Sequence, residues 1–554
     1  MTDKNLQHAD AQLNNPKTAT SMLLPLAMAQ FLASYDTSSM NVAISNIVAD
    51  LDTTVTGVQS AISLFTLVMA ALMIPGSKLT DIVGRKTCFV WGIAIYGTGA
   101  LITSLSPSLG VMIVGWSFLE GIGSALMIPP VYILTTVSYP DIKSRARAFA
   151  VISAMAGLGS ATGPLIGGLI TTAFTWRLSF AMEVMVCLVI IYFSRRIPKS
   201  AIPSPRPSLD VWGTVLSGAG LVAIVLGVLL AGDYGWILAR QAFSLFGSVV
   251  LPQGGVSPVV IFIAVGAVLL LLFYLHIRSM EKKNRTPLLS TRLFHNRTSN
   301  LGLVTQNIQW LIMLGTFFVI SVYLQVSREL TAVQTGLVLT AVTAGLLLTS
   351  AKASALARKF TQKNLIAAGF IATIGGMALN LVLVPAFPSL LAFIPGLFLI
   401  GSGIGIMLTA SVNVVQSSVP EKDQGEISGL SRSVSNLGSS LGVSIAGAIL
   451  ISSLFSLTTS LTESSTVLNQ QQKQSIADAL EENVNTLSDT QIRSVLQGQP
   501  QEVVDEVVKI NAEARNRALA RAQIGMIIIG LLGLLAALLL PPEPGAKKKS
   551  VPVP

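Results

Sequence analysis

The sequence predicts an all-α integral membrane protein of fourteen transmembrane helices, built as two six-helix halves with two further helices inserted between them. Composition, the alternation of apolar runs with basic segments, and an internal repeat carry this reading. Of 554 residues, 51% are hydrophobic and 11% charged, and the mean hydropathy is +0.68, whereas a soluble chain carries roughly 25% charged residues. A helix needs ~20 apolar residues to cross the ~30 Å hydrocarbon core. The net charge of +10 does not indicate a nucleic-acid partner, because the basic residues lie between apolar runs rather than along one face or stripe. Cys88 and Cys187 fall in different apolar segments, so no disulfide framework is expected.

Apolar runs bounded by Gly, Pro and charge place spans near 21–44, 57–79, 87–105, 109–134, 147–172, 178–195, 211–232, 257–278, 298–325, 332–356, 364–384, 389–413, 428–455 and 520–540. If the N-terminus is cytoplasmic, 27 Lys and Arg lie inside and 9 outside, as the positive-inside rule requires. Both termini are then cytoplasmic and the protein is a multi-pass inner (plasma) membrane protein. The expected organisation is a tail (1–20), an N-terminal six-helix half (21–196), a linker with two inserted helices (197–278), five helices of the C-terminal half (279–455), an extracellular loop (456–519), the last span (520–540) and a second tail (541–554). The loop reads as a small helical hairpin, with periodic runs through Ile476, Leu480, Val484 and Leu487 and through Val503 to Ile510, separated by Gly498 and Pro500.

The repeat supports the division into halves. "LGSATGPLIGGLI" (158–170) aligns without a gap on "LGSSLGVSIAGAI" (437–449), with seven identities at an offset of 279, and "LTDIVGRK" (79–86) lies over "LARKFTQK" (356–363) at 277. Span 5 thus pairs with span 13 and span 2 with span 10, a difference of eight. Two six-helix repeats separated by two inserted spans have that spacing, and parallel repeats of six helices are one plan of secondary transporters.

Of 26 carboxylates, only Asp36, Glu120 and Glu183 fall well inside spans, and no Lys or Arg sits mid-span in the first half. An ionisable group there costs ~2.5–3.5 kcal/mol on insertion scales and marks function by default. A carboxyl away from water and from cations can hold a proton and release it on hydration, and the same group attracts a lipophilic cation. Asp36 and Glu120 are therefore candidate proton and substrate sites near mid-membrane; the alternative for Asp36 is a hydrogen bond to neighbouring Ser or Thr that ties helices together. Glu183 is either a third member or a group near the outer surface paired with Arg177 or hydrated. At offsets of 277 to 279 the second half has Met313, Leu314 and Gly315 for Asp36, and Leu397, Phe398 and Leu399 for Glu120. It offers instead Gln306, Asn307, Gln309, Asn380, Asn413 and Gln416 beside Trp310 and Phe317, either as an adaptable substrate surface or as polar glue between helices.

Several segments together resemble the major facilitator superfamily, specifically its 14-span drug:proton antiporters. They are "GSKLTDIVGRK" (76–86), "GSATGPLIGG" (159–168), "LASYDTSSMNVAI" (32–44) and "TWRLSF" (175–180). The resemblance implies the major facilitator fold. It also implies a gating latch in the first segment, with Gly76, Asp81, Gly84, Arg85 and Lys86 and with Asp81 facing the start of span 13. Gly163, Pro164, Gly167 and Gly168 are implied as a conformational element in span 5. One departure is "WSFLEGIG", with Ser117 where the family usually has Arg and Glu120 where Gln is usual, so the family role of that Arg does not transfer.

No enzyme is expected. "GRKT" lacks phosphate-loop spacing, and there is no HExxH or CxxC pattern, so neither cofactor nor metal is called for. The function expected is a proton-coupled secondary exporter of hydrophobic, cationic small molecules, acting as a monomer among membrane lipids. The alternatives are a dedicated exporter of one endogenous metabolite, or a non-transporting receptor or lipid-handling scaffold.

Overall fold

The computed structural model describes residues 16–139, 142–197, 208–245, 248–357, 359–386, 389–419, 424–474 and 489–541. Fourteen long helices follow one another. They are α1 (Pro16–Ser39), α2 (Val55–Val83), α3 (Arg85–Ser104), α4 (Leu109 to Ser138), α5 (Ile142 to Ala173), α6 (Trp176–Ser194), α7 (Val211–Leu229), α8 (Pro258–Lys282), α9 (Arg297–Val322), α10 (Ala332–Ala357), α11 (Gln362–Ala386), α12 (Phe393–Ser417), α13 (Gln424–Ser464) and α14 (Gln501–Leu538). Among the described residues thirteen of these, α2 to α14, are long and apolar enough to cross a membrane. Their outward faces carry the apolar side chains that lipid requires, such as Val268, Leu271 and Leu275 on α8 and Ile528, Leu531 and Leu535 on α14.

Glycine contacts make the internal repeat visible. On α3 and α4, a Cβ added to Gly99 would lie 2.5 Å from the Gly115 carbonyl oxygen, and one on Gly92 2.8 Å from that of Gly123. On α11 and α12, Gly376 meets the Gly396 carbonyl at 2.6 Å and Gly369 meets that of Gly403 at 2.7 Å. The α1–α5 crossing, with Gly159 on Phe31 O and Gly163 on Tyr35 O, recurs as Gly438 on Asn307 O and Gly442 on Leu311 O in α9–α13. Small residues let membrane helices approach this closely and gain dispersion contact where no hydrophobic force drives association.

These crossings correct the register of the repeat. Phe31 and Tyr35 correspond to Asn307 and Leu311, an offset of 276, so the partner of Asp36 is Ile312 rather than Met313, Leu314 or Gly315. Gly99 contacts the Glu120 nitrogen as Gly376 contacts that of Ile400, each at 2.8 Å, so Glu120 corresponds to Ile400 rather than to residues 397–399. The connecting segments of the two halves differ in length, so one offset cannot hold through all six helices. Both counterparts are apolar and buried.

The halves meet along two helix pairs. From α13, Ser433 and Ser440 donate to the carbonyls of Ala70 and Ser63 on α2, at 2.5 and 2.7 Å. On the other side Gly336 of α10 would touch Pro164 O at 2.2 Å, and Gly168 of α5 would touch Ala332 O at 2.6 Å. The inserted α7 packs against α2 and α13. Its N-terminal Asp210 accepts from Gly213 N, His276 Nε2 and Leu288 N, tying α7, α8 and the following linker together. At its other end, burial holds the Asp233 carboxyl above its usual range. A hairpin unforeseen in the sequence, β1 (Phe243–Leu245) paired antiparallel with β2 (Ser248–Leu251), joins α7 to α8.

The loop differs from expectation. The last helix starts at Gln501, so the run from Val503 to Ile510 extends α14 rather than forming a separate hairpin arm; Val504, Ile510, Ala514, Ala518 and Ala522 form one buried stripe. A short helix, Asp489–Val495, precedes it, and the run from Ile476 to Leu487 lies outside the described residues. The glycine crossings yield a stability prediction. Gly99→Ala and Gly376→Ala should each cost about 1–3 kcal/mol through overpacking, while Gly110→Ala, with nothing within 4 Å, should be neutral or slightly stabilising; thermal unfolding in detergent micelles checks the contrast.

Candidate functional site

The N-terminal half brings the three predicted carboxylates together. Asp36 comes from α1, Glu120 from α4 and Glu183 from α6. One oxygen of each lies within 4.8 Å of the others, and none of the three side chains is more than 2% exposed. Their approach depends on a π-helical turn, Ile113–Glu120, in α4; π-turns insert one residue into the helical repeat and frequently occur at functional sites. Similar turns occur at Gly163–Gly167 in α5 and at Tyr323–Ser327 after α9.

Each carboxylate has a distinct environment. Trp116 Nε1 donates to Asp36 Oδ1 at 3.0 Å and Oδ2 at 3.2 Å. The indole is fixed by stacking on Phe65 at 5.3 Å and by the edge of Phe180 at 6.2 Å. From α3, the Tyr96 hydroxyl donates to Glu183 Oε2 at 2.9 Å. Neither Glu120 oxygen has a hydrogen-bond partner. Asp36 is therefore held by an indole from α4 and not by neighbouring hydroxyls. Nor does Glu183 pair with Arg177. That guanidinium instead binds Asp50 and the Ser106 carbonyl, and lies over the Trp176 ring, while Glu183 is sealed from water.

No Lys or Arg pairs with any of the three among the described residues. The oxygens are close enough to share a cation, but N–H and O–H donors aimed at Asp36 and Glu183 do not suit one, and hard cations demand six or more oxygen ligands or retained water.

Sequence reasoning missed Trp116 and Tyr96, whose spacing did not separate them from other apolar-face aromatics. It also counted Arg432 only as a topogenic charge. In the structure Arg432 of α13 reaches across the halves to the Tyr132 hydroxyl and lies 4.5 Å over that ring; Tyr132 in turn donates to Gln30 Oε1 on α1 at 3.1 Å. At the opposite end of the bundle, Ser45 donates through N and Oγ to Gln325 Oε1, and Gln325 Nε2 donates to Asn41 O, so the segment just after α1 touches the C-terminal half there, while at the first end Tyr132 of α4 stands between Gln30 of α1 and Arg432.

The residues of the expected latch divide into separate roles. Gly84, at φ 106°, makes the turn between α2 and α3, a conformation glycine reaches without a Cβ clash. Gly76 packs against the Ala125 carbonyl. Lys78, not Asp81, meets the start of α13, through Glu426 at 2.9 Å; Asp81 lies in the field of Arg85 and Lys78 on its own loop. Arg85 opens α3, and Lys86 donates to the carbonyls of Arg195 and Ile197 after α6. Gly163 and Gly167 face Ser38 and Ser39 of α1, whereas Pro164 and Gly168 face α10 across the halves. Of the second-half amides, Gln306 bonds Ser431, Gln309 bonds Ser411, Asn307 bonds the Val434 carbonyl and Gln416 bonds Ser428. These four act as ties between neighbouring helices or helix ends.

Two helical halves related by a repeat, joined along small-residue seams and enclosing charged groups inside an apolar bundle, define a polytopic membrane transporter. The Major Facilitator Superfamily model matches residues 26–243 and 211–443, and the chain belongs to that superfamily. It is 27% identical over 436 residues to the puromycin resistance protein pur8 of Streptomyces alboniger, covering 78% of this chain and 82% of the relative. It is 28% identical over 427 residues to the cephamycin export protein CmcT of Amycolatopsis lactamdurans, covering 76% and 83%, and 26% identical over 425 residues to the multidrug efflux pump LfrA of Mycolicibacterium smegmatis, covering 76% and 79%. Among solved structures, the fold resembles a bacterial homologue of the human lysosomal transporter Spinster, in an inward-facing and unoccupied conformation, with a TM-score of 0.63 at 14% identity over 95% of this chain and 98% of that one.

A prediction follows from the unequal partnering of the carboxylates. Trp116→Phe keeps the stack on Phe65 but removes the indole hydrogen bonds to Asp36, so it should destabilise by about 1–3 kcal/mol. Glu120→Gln, which has no hydrogen bond to lose, should melt at or above the native temperature. Thermal denaturation of both variants in micelles tests the difference.

Proposed function

We propose that the protein exports hydrophobic, cationic small molecules across the plasma membrane in exchange for protons, by alternating access. The observation that carries this is the cluster of Asp36, Glu120 and Glu183, fully enclosed with no cation among them. Three carboxylates at such separation repel one another and lack water to screen them, so protons are their natural counter-charge. A lipophilic cation reaching the cluster would compete for the same negative charge, making exchange obligatory. Names of relatives refer to puromycin, cephamycin and multiple drugs, in keeping with a drug or antibiotic as substrate.

The seam residues serve the conformational change. Asp36 lies in the last turn of α1, Asn41 in the short helical turn Met40–Val42 that follows it and Ser45 on the next short helix, so loading the cluster acts just before the segment that grips Gln325. Pro164 and Gly168 against α10 seal one end, and Lys78 with Glu426 bridges the other. Three of the seam contacts, from Ser321, Ser433 and Ser440, are single hydroxyl-to-carbonyl bonds, each worth about 1 kcal/mol net, which suits an interface that must open and reclose. The basic end is assigned to the cytoplasm on the 27-to-9 charge count.

In liposomes with an imposed pH gradient, the purified protein should accumulate tetraphenylphosphonium against its gradient. Asp36→Asn should abolish this while leaving the fold intact, because an amide keeps the volume but cannot cycle a proton. Glu120→Gln should impair export of the cation more than that of a neutral drug. Gradient-independent binding without transport would favour the receptor alternative, and strict selectivity for one compound would favour a dedicated exporter.

Two further measurements address gating and topology. A Cβ at Gly336 would collide with Pro164 O, so Gly336→Leu should preserve equilibrium binding of the cation and lose proton-driven counterflow; parallel loss of both would reduce the seam to packing. Cys88 and Cys187 are buried, so a cysteine at the exposed Gln499 should alone react with an impermeant thiol reagent in whole cells, and reaction only after lysis would reverse the topology.

A further inference from the structure

The end of the bundle away from Lys78 holds a second polar site, unrelated to the carboxylate cluster. A cavity of about 340 Å³ lies in the C-terminal half, where the ends of α9 and α11 meet the middle turns of α14. That volume is in the range of small-molecule pockets, ~300–1,000 Å³, and far exceeds the space a single water needs.

Polar groups without partners line it. Arg328 follows the π-turn of α9; its guanidinium lies 6.0 Å from the Tyr323 ring centre and meets no carboxylate among the described residues, and its Nε is buried without a hydrogen bond. Asn380 of α11 is 1% exposed, yet neither atom of its amide is bonded. Gln523 of α14, 4% exposed, has an unbonded Oε1. Arg515 contrasts with these because Asp489 occupies it. The cavity therefore already receives one carboxylate from the chain itself, beside a second guanidinium, an amide donor and two amide acceptors. Buried polar atoms in native proteins are nearly always satisfied, and groups that are not point to a bound species.

We infer that this cavity binds a small oxyanion bearing hydroxyl groups, a carboxylate or phosphate monoester of about the size of glycerol phosphate. Arg328 takes the oxyanion, in the geometry guanidinium favours. Asn380 Nδ2 donates to the ligand, and Asn380 Oδ1 and Gln523 Oε1 accept from its hydroxyls. The site has the opposite polarity to the cluster of the N-terminal half, and it stands whether or not that cluster moves protons. Two sources supply such a ligand: a soluble acid on that side of the membrane, or the headgroup of an anionic phospholipid entering between α11 and α14, both of which carry exposed apolar side chains such as Ile371, Val382 and Leu531.

The test uses the full-length protein in phosphatidylcholine nanodiscs. Glycerol 3-phosphate is titrated calorimetrically, with glycerol as the uncharged control, and native mass spectrometry counts phosphatidylglycerol retained after reconstitution in mixed lipid. Wild type should bind one of the two probes saturably. Arg328→Gln and Gln523→Met should each weaken that binding by about tenfold or more, as loss of a hydrogen bond to a charged or buried group implies, and Arg328→Lys should restore part of it. Binding of glycerol 3-phosphate identifies the soluble source; retention of phosphatidylglycerol alone identifies the lipid. Gln523→Met conserves volume and carries the test should Arg328→Gln fail to fold. If neither probe binds, or if binding is unchanged in variants that remain monodisperse with native melting temperatures, the inference is overturned.

Discussion

The structure depends on the cost of carrying charge through a medium that does not solvate it. Three carboxylates enter the N-terminal half without a cation, and the surrounding architecture accommodates them. The π-turn of α4 aims Trp116 at Asp36; Phe65 and Phe180 fix that indole; Tyr96 crosses from α3 to hold Glu183. Only Glu120 is left without a hydrogen bond, and it is the member whose ionic state the protein constrains least through direct contacts. The guanidinium of Arg177, which opens α6, is bound instead by Asp50 and the Ser106 carbonyl.

The same backbone plan carries different chemistry in its two halves. Where the glycine crossings superpose, Asp36 corresponds to Ile312 and Glu120 to Ile400, and both isoleucines are fully packed. The C-terminal half spends its polar residues on ties between helices, such as Gln306 with Ser431 and Gln309 with Ser411. Between α9, α10 and α12 runs an apolar crevice lined by Phe317, Met313 and Leu339. Duplication thus supplied a symmetric frame, and ionisable groups remained in one copy.

Much of this was legible in the sequence, for a physical reason. Intramembrane charge is so costly that Asp36, Glu120 and Glu183 stood out as individual residues, and glycine-rich crossings require close backbone approach, so "LGSATGPLIGG" and "LGSSLGVSIAG" retained their likeness. What was not legible depended on quantities that composition does not encode. The offset of 279 drifts to 276 on α1 and 280 on α4 because connecting segments change length. Tyr96 and Trp116 looked like any aromatic on an apolar span until the helices were assembled. Helix ends outside the membrane were equally obscure: the polar stretch before residue 520 continues α14 without a break because Ala514 and Ala518 bury one face, a pattern too weak to distinguish from a solvated loop. The β1–β2 hairpin has only seven paired-strand residues and left no periodic signal.

The seams between the halves complete the logic. A rigid, apolar interface would hold one conformation, whereas a wet one would leak protons. This interface is buried but held by single bonds: Ser433, Ser440 and Ser321 each donate to a backbone carbonyl of the other half, and Gly168 and Gly336 press against carbonyls where any side chain would clash. Because carbonyls recur every turn along a helix, such donors find equivalent acceptors after a small slide, so the cost of moving between arrangements stays low at every stage. Side-chain pairs cross the interface as well, at Lys78 with Glu426, Arg432 with Tyr132, Ser444 with Ser63 and Ser45 with Gln325. The charged pair of Lys78 with Glu426 and the doubly bonded Gln325 mark opposite ends of the seam, and the buried cluster on α1, α4 and α6 lies within the half whose Asn41 and Ser45, just after α1, hold Gln325.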